Sequence, residues 1–91
     1  MTVEVRLEGT LVARAGARHA RVHVPDEATI EDVVAALADK FGPQVRPAIL
    51  EGERLRTDTV AIRESPPHQE RLSSSSHVNH GDTVRFQMQA Y

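Results

Sequence analysis

One amphipathic helix constrains this chain more than any other feature. Ile30, Val33, Val34, Leu37, Ala38 and Phe41 recur at i, i+3, i+4, i+7, i+8 and i+11, a single apolar stripe. Thr29 stands at its N-cap position, and Asp32 is placed three residues on, where it can reach back in a capping box. Glu31 and Asp32 suit the positive end of the helix dipole and Lys40 the negative end. Gly42 offers a left-handed C-cap, and Pro43 forbids continuation. One helix with one apolar stripe must cover one face of one sheet. No other segment shows a comparable stripe, so folds that need two such helices, such as the ferredoxin-like one, are excluded.

The sheet is written in period-two patterns. Val3, Val5 and Leu7 alternate with Glu4, Arg6 and Glu8, and Ala20, Val22 and Val24 alternate with His19, Arg21 and His23. These two segments are expected to pair as an antiparallel hairpin with a wide turn. Thr10 to Ala17 reads as a connection. Pro25 closes the second strand, because it has no N–H for a ladder. Val45 to Glu51 reads as a short strand around Ile49 and Leu50, and Thr59 to Arg63 as another, at the edge of the main sheet or within it. Residues 64–81 read as a long polar loop through Pro66-Pro67 and Ser73-Ser74-Ser75-Ser76, a mobile linker composition. The Ser73 to Ser76 run is also a place that could be phosphorylated or hold a phosphate. Gly81-Asp82 then opens a last strand with Val84, Phe86 and Met88 on one side.

The first and last strands are the strongest. Setting them parallel at the centre, with the helix crossing over, predicts an α+β fold. It is a ubiquitin-like β-grasp, with a mixed four- to five-stranded sheet packed on one main helix. A chain of 91 residues makes one domain, 1–91, with a small core and no deep cavity of its own. Net charge is -2 with mixed signs, which gives no basic stripe for nucleic acid, and Phe41, Phe86 and Tyr91 make no stacking platform. With no cysteine there is no disulfide, thiolate metal site or thiol nucleophile. The charged N-terminal alternation reads as neither a signal peptide nor a membrane span. A cytoplasmic protein with no membrane contact is the expectation.

The order of elements, together with Thr29-Ile30-Glu31-Asp32-Val33-Val34-Ala35-Ala36-Leu37 and Gly81-Asp82-Thr83-Val84, resembles the small sulfur-carrier family across nearly the whole chain. That family includes the small subunit of molybdopterin synthase and the thiamine-biosynthesis sulfur carrier. The resemblance implies a non-enzymatic protein that works with a protein partner, an adenylating enzyme or the large subunit of a synthase. It also implies a tail ending in Gly-Gly, whose carboxylate is adenylated and converted to a thiocarboxylate. This sequence contains no Gly-Gly and ends Gln89-Ala90-Tyr91. The expectation is therefore a partner-binding or accessory subunit, with a carrier acting through an atypical C-terminus as the alternative.

The expected partner surface is the sheet face opposite the helix together with the C-terminus: Arg6, Arg21, His23, Arg85, Gln87, Gln89 and Tyr91. No catalytic residue, cofactor or metal is expected. A second alternative is a small metal- or ligand-binding domain built on His68, His77 and His80, whose imidazoles could ligate a divalent metal if a carboxylate such as Glu70 or Asp82 joined them.

Overall fold

The computed structural model describes residues 1–65 and 68–88. Strands β1 (Thr2–Leu7) and β2 (His19–His23) flank a short helix, α1 (Thr10–Ala15). The main helix α2 (Ile30–Phe41) follows, then a single-turn helix α3 (Val45–Ile49) and a two-stranded ribbon, β3 (Leu50–Glu51) with β4 (Arg54–Leu55). The chain then builds β5 (Thr59–Ser65), β6 (His68–Leu72) and β7 (Thr83–Met88). The five-stranded sheet has the order β2-β1-β7-β5-β6, so the last strand is the central one. It runs parallel to β1, with Val5 beside Val84 and Leu7 beside Phe86, and antiparallel to β5. This is the expected β-grasp arrangement, and Thr59 to Arg63 belongs within the main sheet.

Alternation decides which side of each strand is buried. Val3, Val5, Ala61, Val84 and Phe86 are completely buried, and they meet Ile30, Val33, Val34 and Leu37 of α2 in one cluster. Their strand neighbours therefore face away from the helix. Burying a side chain such as Phe86 or Leu37 is worth roughly 1.5–3 kcal/mol, so this layer is the main source of stability.

Three segments differ from the expectation. Thr10 to Ala15 forms a helix instead of an irregular connection. Leu11 anchors it in the core, and Gly9 and Gly16 bracket it at positive φ, 64° and 78°. The Gly16 N–H donates to Val12 O at 2.7 Å, a left-handed cap open to glycine at no steric cost. Val45 to Ile49 is helical instead of extended. Val45 and Ile49, four apart, are both buried, and Pro47 sits in the first turn, where its missing N–H costs nothing. Only Leu50 and Glu51 are extended.

The largest difference is in the stretch expected to be a polar loop. β6 lies inside it and pairs antiparallel with β5 from Ser65–His68 to Ala61–Leu72. Of β6 only Leu72 is buried, so no alternation marks it in the sequence. Pro66-Pro67 lies outside the described residues. Residues 73–82 are held tightly. Ser76 O and Ser74 O each accept from the first turn of α2, from Ile30 N and Glu31 N at 3.0 Å. Val78 N donates to Ala28 O at 2.9 Å, and the Val78 side chain is buried. The serine run is therefore a cap for the main helix, because it supplies acceptors to amides that have none within the helix.

The same helix end carries the reach-back bond of the capping box, from Thr29 N to Asp32 Oδ2 at 2.9 Å. At the other end Gly42 has φ 119° and ψ 160°, positive but outside the left-handed helical well, with its N–H on Ala38 O at 2.8 Å.

Candidate functional site

The sheet face opposite α2 is the candidate site. Across it run His19, Arg21 and His23 of β2, Thr2, Glu4 and Arg6 of β1, Thr83, Arg85 and Gln87 of β7, Val60, Ile62 and Glu64 of β5, and Gln69 and Arg71 of β6. Register places these residues side by side. Glu4 stands opposite Arg21, Arg6 opposite Arg85, Arg85 opposite Ile62, and Gln87 opposite Val60. Five of the expected partner-facing residues, Arg6, Arg21, His23, Arg85 and Gln87, thus share one surface. Gln89 and Tyr91 lie outside the described residues.

Two arginines directly opposite each other, Arg6 and Arg85, would repel. Glu64 resolves the conflict from the far side of β7. Its Oε1 lies 3.3 Å from Arg85 Nε and its Oε2 lies 3.9 Å from Arg6 Nη1. Arg85 also reaches Glu8 at 3.8 Å. Glu64 and Arg85 are mostly covered, with side-chain exposures of 18% and 20%. Neither Glu64 Oε1 nor Arg85 Nε has a hydrogen-bond partner among the described residues. Their contact is one of charge, without hydrogen-bond geometry. Toward β2 the charges are open. Arg21 Nε donates to Glu4 Oε1 at 2.7 Å, with the arginine side chain 69% exposed. The face is thus a mixed-charge surface, half-covered at its centre and solvated at the β2 edge.

Its apolar part lies elsewhere. Val60 and Ile62, together with Gln69, Arg71 and Gln87, line a shallow hollow of about 310 Å³. Val60 is buried yet stands apart from the helix-side core cluster. Sequence reasoning passed over this feature. The signal was present in Val60-Ala61-Ile62, a strand apolar on both sides, which asks for cover on both faces.

The three histidines are not brought together. His68 begins β6, opposite Ser65. His77 Nδ1 donates to the carbonyl of Glu27 at 2.8 Å, so that nitrogen carries the proton. His80 Nδ1 accepts from Thr2 N at 3.1 Å, so that nitrogen is bare. His77 and His80 tie the 73–82 segment to the α2 entrance and to β1 respectively. Among the described residues no group of three histidines, cysteines or carboxylates could hold a metal ion. The carboxylates named as further ligands are engaged by Arg63 instead, which donates from Nε to Asp82 Oδ2 at 3.0 Å and from Nη1 to Glu70 Oε1. Arg63 Nη2 also donates to His77 O. Asp82 Oδ2 takes a further bond from Asn79 N at 2.8 Å. Arg63 is the hub of the segment, and sequence reasoning did not single it out.

No protein-family model matches the chain, and no curated protein sequence does. Solved structures do match it along almost its whole length. The small archaeal modifier protein SAMP1 of Haloferax volcanii superposes with a TM-score of 0.83 at 22% identity, covering 99% of this chain and 97% of that one. A putative molybdopterin converting factor subunit 1 from Pyrococcus furiosus gives 0.75 at 15% identity, covering 99% of both chains. A chain of the BexX/CysO complex of Amycolatopsis orientalis gives 0.77 at 15% identity, covering 98% and 97%. At these identities the likeness is one of fold, and the fold is the ubiquitin-like β-grasp. No helix among the described residues is long and apolar enough to cross a membrane.

Proposed function

We propose that this chain is a non-enzymatic ubiquitin-like protein of the sulfur-carrier type, which works by docking the helix-free face of its sheet on a protein partner. The partner class we favour is an adenylating enzyme or the large subunit of a synthase. The observation that carries the reading is the hollow of Val60 and Ile62, an apolar patch on the solvent side of a sheet whose core lies on the other side. An apolar centre with a rim of Arg71, Gln69 and Gln87 has the makeup of a protein contact, in which a desolvated core is ringed by polar groups. The paired charges of Arg6, Arg85 and Glu64 beside it favour orientation over affinity, since their fields are already partly cancelled. The full-length likeness to SAMP1, to the converting-factor subunit and to a chain of the BexX/CysO complex supports the carrier type. One of those neighbours was itself captured in a complex.

The test is an NMR titration of the labelled protein with a candidate adenylating enzyme. Shifts are expected at Val60, Ile62, Arg85 and Gln87, and I62D is expected to weaken binding at least about tenfold, the effect of losing a central contact. A footprint on α2, or none at all with I62D indistinguishable from the parent, overturns the reading.

A further inference from the structure

Apart from the docking face, a second hollow of about 440 Å³ opens between the β3–β4 ribbon and the start of the serine run. Its lining includes Arg54, Arg56, Arg71, Thr57, Ser73 and Ser75, and no carboxylate contributes to it. That is unusual for a chain with 13 acidic and 11 basic residues, whose other arginines on the sheet are matched by acids. Arg56 is partly neutralised from behind, since its Nε lies 3.3 Å from Asp58 Oδ1. Arg54 and Arg71 are exposed and have no ion pair among the described residues. Two arginines without an ion pair thus border one hollow that no carboxylate lines, and an anion bound there would balance their charge.

The serine run adds fixed donors. Ser76 N donates to Ser73 O at 3.1 Å, which closes a tight turn. Ser73 N donates to Ser76 Oγ at 2.9 Å, and the Ser73 hydroxyl lies 3.1 Å from that of Ser75 and 3.2 Å from that of Ser76. The hydroxyls are therefore gathered before any ligand arrives. The carbonyls of Ser74 and Ser76 are committed to α2, which holds the turn in place. The amides of Ser74 and Ser75 have no protein acceptor among the described residues.

We infer that this hollow binds the phosphoryl group of a small molecule, held by Arg54 and Arg71 with the hydroxyls of Ser73 and Ser75. A phosphoryl group offers several terminal oxygens in a tetrahedral spread, which suits two or three guanidinium groups and hydroxyl donors approaching from different sides. A planar carboxylate is satisfied by a single guanidinium fork and leaves the remaining donors unused. Arg71 borders both this hollow and the Val60–Ile62 hollow, whereas Arg54 and Ser73 border only this one, so a change at Arg54 tests the inference without touching the docking face.

Inorganic phosphate is the probe. The labelled full chain is titrated with phosphate by NMR at constant ionic strength, with chloride and acetate as controls. Saturable shifts confined to Thr57 and the 72–76 amides are expected, with affinity lower by about tenfold in R54A, the loss of one charge-assisted contact. R54K keeps the charge and is expected to recover part of the affinity. Arg54 is exposed, and unchanged spectra elsewhere in R54A show that the fold is intact. Non-saturable shifts, equal binding of acetate, or phosphate affinity unchanged in R54A overturns the inference. A failed partner titration with I62D leaves this result untouched.

Discussion

The two faces of the sheet use the same strands for different ends. On the helix side of β7, Val84 and Phe86 are sealed from solvent, and Val5 and Leu7 beside them on β1 and Ala61 on β5 are sealed with them. On the other side of the same strand, Arg85 and Gln87 stay partly open, and the charge of Arg85 is balanced by Glu64 and Glu8. The strand β5 breaks the division, because it carries apolar residues to both sides: Ala61 into the core, Val60 and Ile62 away from it. A face that only needed to be solvated would carry polar residues there. The difference teaches that stability is concentrated on one face, which leaves the other free to change at little cost to folding.

The strongest way to break this comparison is to cut into the sealed face. F86A removes a completely buried ring from the central strand, and a cost of about 3–5 kcal/mol is expected, read by denaturant unfolding. A cost near that of an outer-face change would show that the two faces do not differ as described. Next in size is Arg63, the hub at the end of the sheet. R63A releases Asp82, Glu70 and the His77 carbonyl together. A loss of about 1.5–3 kcal/mol is expected, the range for a hydrogen bond to a charged group. Its signature is local. Amide exchange should quicken at Val78 and at Ile30 and Glu31, whose bonds run to the 73–82 segment. Uniform quickening across the sheet would instead place Arg63 in the general stability of the fold.

The sequence showed the sealed face more clearly than the open one, for a physical reason. Burial on one side of a strand or helix leaves a period, and Val3-Val5-Leu7, Val84-Phe86 and the α2 stripe all carried it. Segments stabilised by contacts distant in sequence carry none. β6 exposes four of its five residues, and its place is set by pairing with β5. The serine run looks like a linker because its role is played by backbone carbonyls, which any residue possesses. α3 was hidden by Pro47, although Val45 and Ile49 keep helical spacing. At the site, Arg6, Arg21, His23, Arg85 and Gln87 were legible from strand parity. The Val60–Ile62 hollow was legible only as apolar residues on both sides of one strand, and locating it required β5 to be placed inside the sheet, with β6 beyond it. The histidines were legible only as residue types, and their partners Glu27 and Thr2 come from far along the chain.

The remaining predictions sharpen the comparison on the open face, where stability and binding should separate. I62A trims a half-buried side chain, so about 1 kcal/mol is the expected cost, well below that of F86A. Its effect on partner affinity should exceed its effect on unfolding. R21A should lie at the bottom of the scale. Its bond to Glu4 is short, but both side chains are well exposed, and pairs of this kind contribute about 0.2–1 kcal/mol at most. Unfolding in R21A should therefore match the parent within about 0.5 kcal/mol, and high salt should erase what difference remains. The partner titration provides the contrast. Removing Arg21 leaves Glu4 of β1 unpaired, so the long-range field of the proposed docking face changes while its apolar centre is intact. The expected change is in association rate and its salt dependence, with dissociation nearly unaltered. A faster dissociation instead would extend the contact core across β1 to β2 and shift its centre away from Ile62.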